Sequence, residues 1–186
     1  MPTHRQQSFL ATLWAGNRPV NTLDNLIGKP AWVNWLGVPL TAPHVVGTMR
    51  DDSAMLSCHR GESQHAMTLY FRHTADGYRL YVREPGKHFG KGVVAQDGAY
   101  LGVKPTPLAA PSLFALRRAN GKAASFSELP TDTNLITLAC NGAAISRCRR
   151  VNSTYEYLAA KNETAQLWVL KILERNVPWL SSSDET

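Results

Sequence analysis

The sequence predicts an all-β chain of three four-stranded repeats behind a short N-terminal helical extension. Alternating apolar and polar residues, the period of a half-buried strand, recur along the chain. Three such runs end at a glycine followed three residues on by a bulky apolar side chain: Gly37 with Leu40, Gly86 with Phe89, Gly142 with Ile145. Eleven prolines and thirteen glycines supply turns for many short strands.

The first 29 residues stand outside this repeat. In "HRQQSFLATLW", Phe9, Leu10, Leu13 and Trp14 fall on one side of a helix, and "NTLDNLIG" offers a second helical turn before Gly28. The expectation is a helical extension over 1–29 that packs on the main domain, with Phe9, Leu13 and Trp14 as a possible anchor for a partner.

The repeats are expected at about 30–77, 78–133 and 134–176, followed by a tail over 177–186. Each opens with a strand that turns at its glycine, since glycine adopts positive φ at little cost. Third segments follow at "AMLSCH" (from Ala54), "AYLGVK" (from Ala99) and "YEYLAAK" (from Tyr155). The fourth strands point Leu69 and Phe71, Phe114 and Leu116, and Trp168 and Leu170 inward. Asp76-Gly77 and Asn120-Gly121 join the units, and "AASFSELPTDT" (123–133) reads as an insertion before the third.

Strand, G-x-x-[Leu/Ile/Phe], strand and a closing aromatic or aliphatic strand, taken three times, resembles the β-trefoil superfamily, particularly its fascin-like and ricin-B-like members. The resemblance covers about residues 30–176 and implies a β-trefoil, in which six strands close a short barrel and three hairpins cap it. Another all-β barrel or sandwich is the competing architecture. In ricin-type lectins a Q-x-W triplet accompanies an acidic residue just after the apolar position of the glycine turn. Here Gln166-Leu167-Trp168 supplies one triplet, but Thr41, Gly90 and Ser146 hold the acidic places. Trp168 is therefore expected in the core rather than under a sugar.

A formal charge of +6 and a pI near 9.4 favour acidic partners. The cations are spread out, so composition argues against nucleic acid as a partner. The densest groups, Arg117 and Arg118, then Arg147, Arg149 and Arg150, are the expected contacts for a protein partner. Arginine's planar fork suits carboxylates. Fascin-like trefoils bind proteins through loops and surface charge, so the resemblance points the same way. The alternative is a carbohydrate, in particular an acidic glycan, with Tyr155 and Tyr157 on one strand face and Asn152 and Asn162 at its edge.

No enzymatic activity is expected. The six histidines show no tight metal-ligand spacing, and "GKHFGKG" lacks the spacing of a nucleotide-binding loop. Asp51-Asp52 and Asp184-Glu185 read as loop and tail. Cys148, among arginines, is at most a reactive thiol. No cofactor or metal is implied, and no apolar run reaches the ~20 residues of a bilayer span. Cys58, Cys140 and Cys148 cannot all pair, which favours reduced thiols and a cytoplasmic location, with non-classical export as the alternative.

Overall fold

A computed structural model describes residues 2–37, 45–161 and 164–178. Leu40, Thr41, His44, Asn162 and the expected tail from 179 lie outside them. The chain runs β1 (Phe9–Ala15), β2 (Arg18–Pro19), β3 (Asn21–Thr22), α1 (Leu23–Ile27), β4 (Trp32–Asn34), β5 (Met49–Asp51) and β6 (Leu56–Ser57). It continues with β7 (Leu69–Thr74), β8 (Gly77–Val82), β9 (Gly92–Gln96), β10 (Tyr100–Lys104) and β11 (Phe114–Arg118). Last come β12 (Thr133–Cys140), β13 (Ala143–Arg149), β14 (Glu156–Ala160) and β15 (Trp168–Arg175). Single 3-10 turns occupy Arg5–Gln7, Val45–Thr48 and Phe126–Glu128.

Eleven strands join one antiparallel sheet, with β3–β6 and β4–β5 as two small separate sheets. Within the large sheet the pairings β1–β7, β7–β8, β8–β11, β11–β12, β12–β15 and β15–β1 return to their start. β9, β10, β14 and β13 follow one another from β8 round to β12.

This overturns the expected β-trefoil behind a helical extension. Residues 9–15 form a strand, paired with β15 on one side and β7 on the other. The described residues of 20–67 make α1 and the two small sheets, whereas those of 77–118 and 133–175 each carry four strands of the large one. The physical reason lies in the spacing of Phe9 and Leu13. A separation of four suits a helix face, yet it is also a multiple of two. Phe9, Ala11, Leu13 and Ala15 are all buried on the strand's inner face. Pairing with two distant strands then outweighs the weak local helix preference. The second expected helical turn does form, as α1, ended by Gly28 in the left-handed region at φ 69°.

The expected fourth-strand residues Leu69, Phe71, Phe114, Leu116, Trp168 and Leu170 are all interior. They share one core with Phe9, Leu13, Leu80, Ile136 and Leu138. The Phe9 ring stacks between Phe71 and Phe126, each at 4.8 Å between centroids. Phe126 comes from the expected insertion, which folds back as a 3-10 turn closed by a Ser125–Glu128 capping box. The Gly142 hairpin is found: Asn141 and Gly142, both at positive φ, join β12 to β13. At Gly86 the outcome differs. The tight hairpin there is β9–β10, turned at Asp97-Gly98, and β8 reaches β9 through a longer loop with Phe89 exposed.

Candidate functional site

The β13–β14 arm carries most of the chemistry. Its register sets Arg147 opposite Leu158, Cys148 opposite Tyr157 and Arg149 opposite Glu156. Strand alternation therefore puts Arg147 and Arg149 on one face, and both are exposed. They line an open groove of about 640 Å³ with Ser146, Cys148, Glu156 and Gln166.

The charges in this groove are unbalanced. Glu156, the one acidic side chain that lines it among the described residues, is bonded by Arg18 Nη1 at 2.5 Å. Arg147 donates through its backbone N–H at 3.2 Å and through Nε at 3.1 Å to Gln166 Oε1, a neutral acceptor. Arg149 makes no ion pair among the described residues. Among the described residues, two exposed guanidiniums thus have no carboxylate of their own. The glutamine of the Q-x-W triplet is spent on Arg147, and Trp168 is wholly interior.

A buried polar cluster fixes the arm's far end. Asp52, 1% exposed, accepts from Arg50 Nε at 2.7 Å and Nη2 at 2.9 Å, from Arg150 Nη1 at 3.3 Å and from Tyr157 Oη at 2.6 Å. The Arg150 guanidinium lies 4.5 Å over the Tyr100 ring, whose hydroxyl accepts from Lys161 Nζ at 2.7 Å. Burial, then the bond to Asp52, pushes the Tyr157 hydroxyl's pKa up, while the bond to Asp52 raises that of Arg50. The tyrosine therefore stays protonated and donates.

The sequence-expected contacts accordingly separate. Arg147 and Arg149 share the groove, whereas Arg150 is turned inward onto Asp52 and Asp97. Arg117 and Arg118, on β11, line other cavities, and Arg118 pairs with Glu128. Phe9 and Leu13 are core residues. Trp14 is half-buried under Lys171 Nζ, 4.3 Å from its ring. No helical anchor exists for them to form. Of the expected glycan residues, Tyr157 is fully buried and Tyr155 sets an edge-to-face contact with His59 at 5.2 Å. Asn152 Nδ2 donates to the Trp35 carbonyl at 2.9 Å. The Asp51-Asp52 pair is no simple loop, since Asp52 is the cluster's hub.

Asn152 leads to residues that the sequence reading missed. Trp32 and Trp35 are 55% and 42% exposed, beside exposed Leu36. The signal was in "WVNW": Val33 alternates inward, leaving Trp32 on the outer face of β4. The turn that follows Arg149 thus holds the backbone carrying an exposed tryptophan.

None of the three cysteines is in a disulfide. Burial raises the thiol pKa of Cys58 and Cys140 to about 11, and Cys148 Sγ lies 3.8 Å from the Tyr157 carbonyl oxygen. Among the described residues no helix is long and apolar enough to cross a membrane. Comparison with family models, with curated proteins and with solved structures finds no match for this chain.

Proposed function

We propose that the chain is a non-catalytic recognition module whose β13–β14 groove binds a carboxylate-rich segment of a partner protein. One observation carries the reading: Arg147 and Arg149 stand side by side, and Glu156, the one acid lining the groove among the described residues, is already neutralised by Arg18. A carboxylate arriving there meets two guanidiniums held on a strand, which spares much of the entropy of ordering them. The exposed Trp35, tied to the adjoining turn, adds the aromatic surface that commonly shares interface energy with arginine. Three cysteines outside any disulfide support work in a reducing compartment, the cytoplasm.

The test is fluorescence anisotropy with a labelled polyglutamate peptide at low and high salt. Binding that weakens with salt, is lost in Arg147→Glu/Arg149→Glu and persists in Arg117→Glu/Arg118→Glu supports the groove. Equal binding by the groove variant overturns it. A sulfated or carboxylated glycan that binds where polyglutamate does not would replace the protein ligand by a sugar.

A further inference from the structure

The groove follows an edge of the large sheet. β13 pairs with β14 from Ile145 to Arg149, but with β12 only at Ala143 and Ala144. β12 then leaves it, because its residues Thr133 to Ile136 pair with β15 instead. Beyond Ala144, no described strand pairs with β13 on that side. All four residues from Ser146 to Arg149 line the groove, although their side chains alternate between the strand's faces. A groove along the edge meets both faces.

The open side presents backbone groups to the groove. The Arg147 N–H donates at 3.2 Å to Gln166 Oε1, itself part of the groove's lining, so it points away from β14. The Glu156 carbonyl accepts from Ser57 Oγ at 2.6 Å and so points away from β13. In an antiparallel ladder two facing residues exchange both bonds or neither. Arg149, opposite Glu156, therefore turns its N–H outward as well.

Resting on the carboxylate reading of the groove, we infer that the partner segment adds to β13 as an antiparallel strand with an acid at every second position, Asp/Glu-x-Asp/Glu. The Gln166 amide oxygen sits where a neighbouring strand's carbonyl would accept from Arg147, and the incoming backbone takes its place. Acids at i and i+2 of that strand share one face and stand directly opposite Arg147 and Arg149. Charged side chains guard open edges against indiscriminate pairing. Here the guard admits an acidic strand and repels a basic one. A second copy of this chain, pairing Arg147 against Arg149, would set like charges opposite each other, which destabilises a ladder. The occupant is therefore an acidic segment of another protein.

The experiment uses the full chain and three labelled peptides that alternate glutamate and threonine: unmodified, N-methylated at the glutamates, and N-methylated at the threonines. All three carry the same charge. Glutamates facing the arginines direct their N–H groups into the ladder, and the threonines direct theirs away from it. Methylated glutamates should therefore weaken binding by about tenfold or more, whereas methylated threonines should leave it within about threefold. In the wild-type chain the Arg149 amide should exchange with solvent about tenfold more slowly once the unmodified peptide is bound, a readout that needs no variant. Equal binding by all three peptides, still abolished by Arg147→Glu/Arg149→Glu, would overturn the added strand and leave the groove as a carboxylate site. Failure of both the unmodified peptide and polyglutamate to bind would bring down strand and groove together.

Discussion

The Tyr157 hydroxyl donates to Asp52 Oδ2 at 2.6 Å, joining residues 105 apart in the chain. On its other side the same hydroxyl meets Ser153 Oγ at 2.7 Å, in the turn after Arg149. One phenol thus couples the chain after β5 to the arm that displays the groove arginines. Asp52 meanwhile takes three guanidinium nitrogens from two arginines.

Removing the hub should therefore cost more than removing one spoke. Asp52→Ala leaves Arg50 and Arg150 facing each other around a buried site, and such broken pairs cost about 3–5 kcal/mol. Tyr157→Phe loses the hydroxyl's bonds to Asp52 and Ser153 but leaves the charged pairs in place, about 1–3 kcal/mol. Urea unfolding of the two variants beside wild type reads both numbers. A cost for Asp52→Ala no larger than that for Tyr157→Phe would contradict the cluster's hierarchy.

The segment before residue 30 is structural, because its strand lies between β7 and β15. A chain starting at Pro30 should lack cooperative unfolding and dispersed amide resonances. Phe9→Ala probes the same point more gently. It empties the slot between Phe71 and Phe126 and should cost about 3–5 kcal/mol. A folded truncated chain would show that the ring of strands closes without β1.

How much of this was legible in the sequence depends on whether the deciding partner was near. The Asn141-Gly142 turn and α1 with its Gly28 cap are local, and both were readable. The inward residues of β7, β11 and β15 were readable too, because period-two alternation needs no partner to be seen. β1 was not, because its spacing of four serves both periods and its partners come from far along the chain. Asp52 was missed for the same kind of reason. A doublet of aspartates reads as solvated until Arg150 and Tyr157 arrive from 98 and 105 residues away. In "RCRR" the sequence shows three equivalent cations. Only the fold separates Arg147 and Arg149, on the open face, from Arg150, which rounds the strand end into the cluster.

Acid sensitivity should be traceable to Asp24, in α1. Its carboxylate takes His88 Nε2 at 3.1 Å and Lys87 Nζ at 3.0 Å, while Lys91 Nζ lies 3.2 Å from His88 Nδ1. The contacts tie α1 to the loop between β8 and β9, with His88 almost wholly buried. Burial alone would raise the carboxyl's pKa, but the bonds from His88 and Lys87 outweigh it and hold it well below the carboxylate range. A carboxyl whose folded pKa is depressed stabilises the fold above its unfolded pKa. That contribution drains away as the pH falls below about 4 towards the folded value. Wild type should therefore exceed Asp24→Asn in unfolding free energy at about pH 7, and the gap should narrow by about pH 2.5. Urea titrations at the two pH values measure it. A gap that stays constant would mean that the aspartate holds the loop by shape and hydrogen bonding, with its charge contributing nothing.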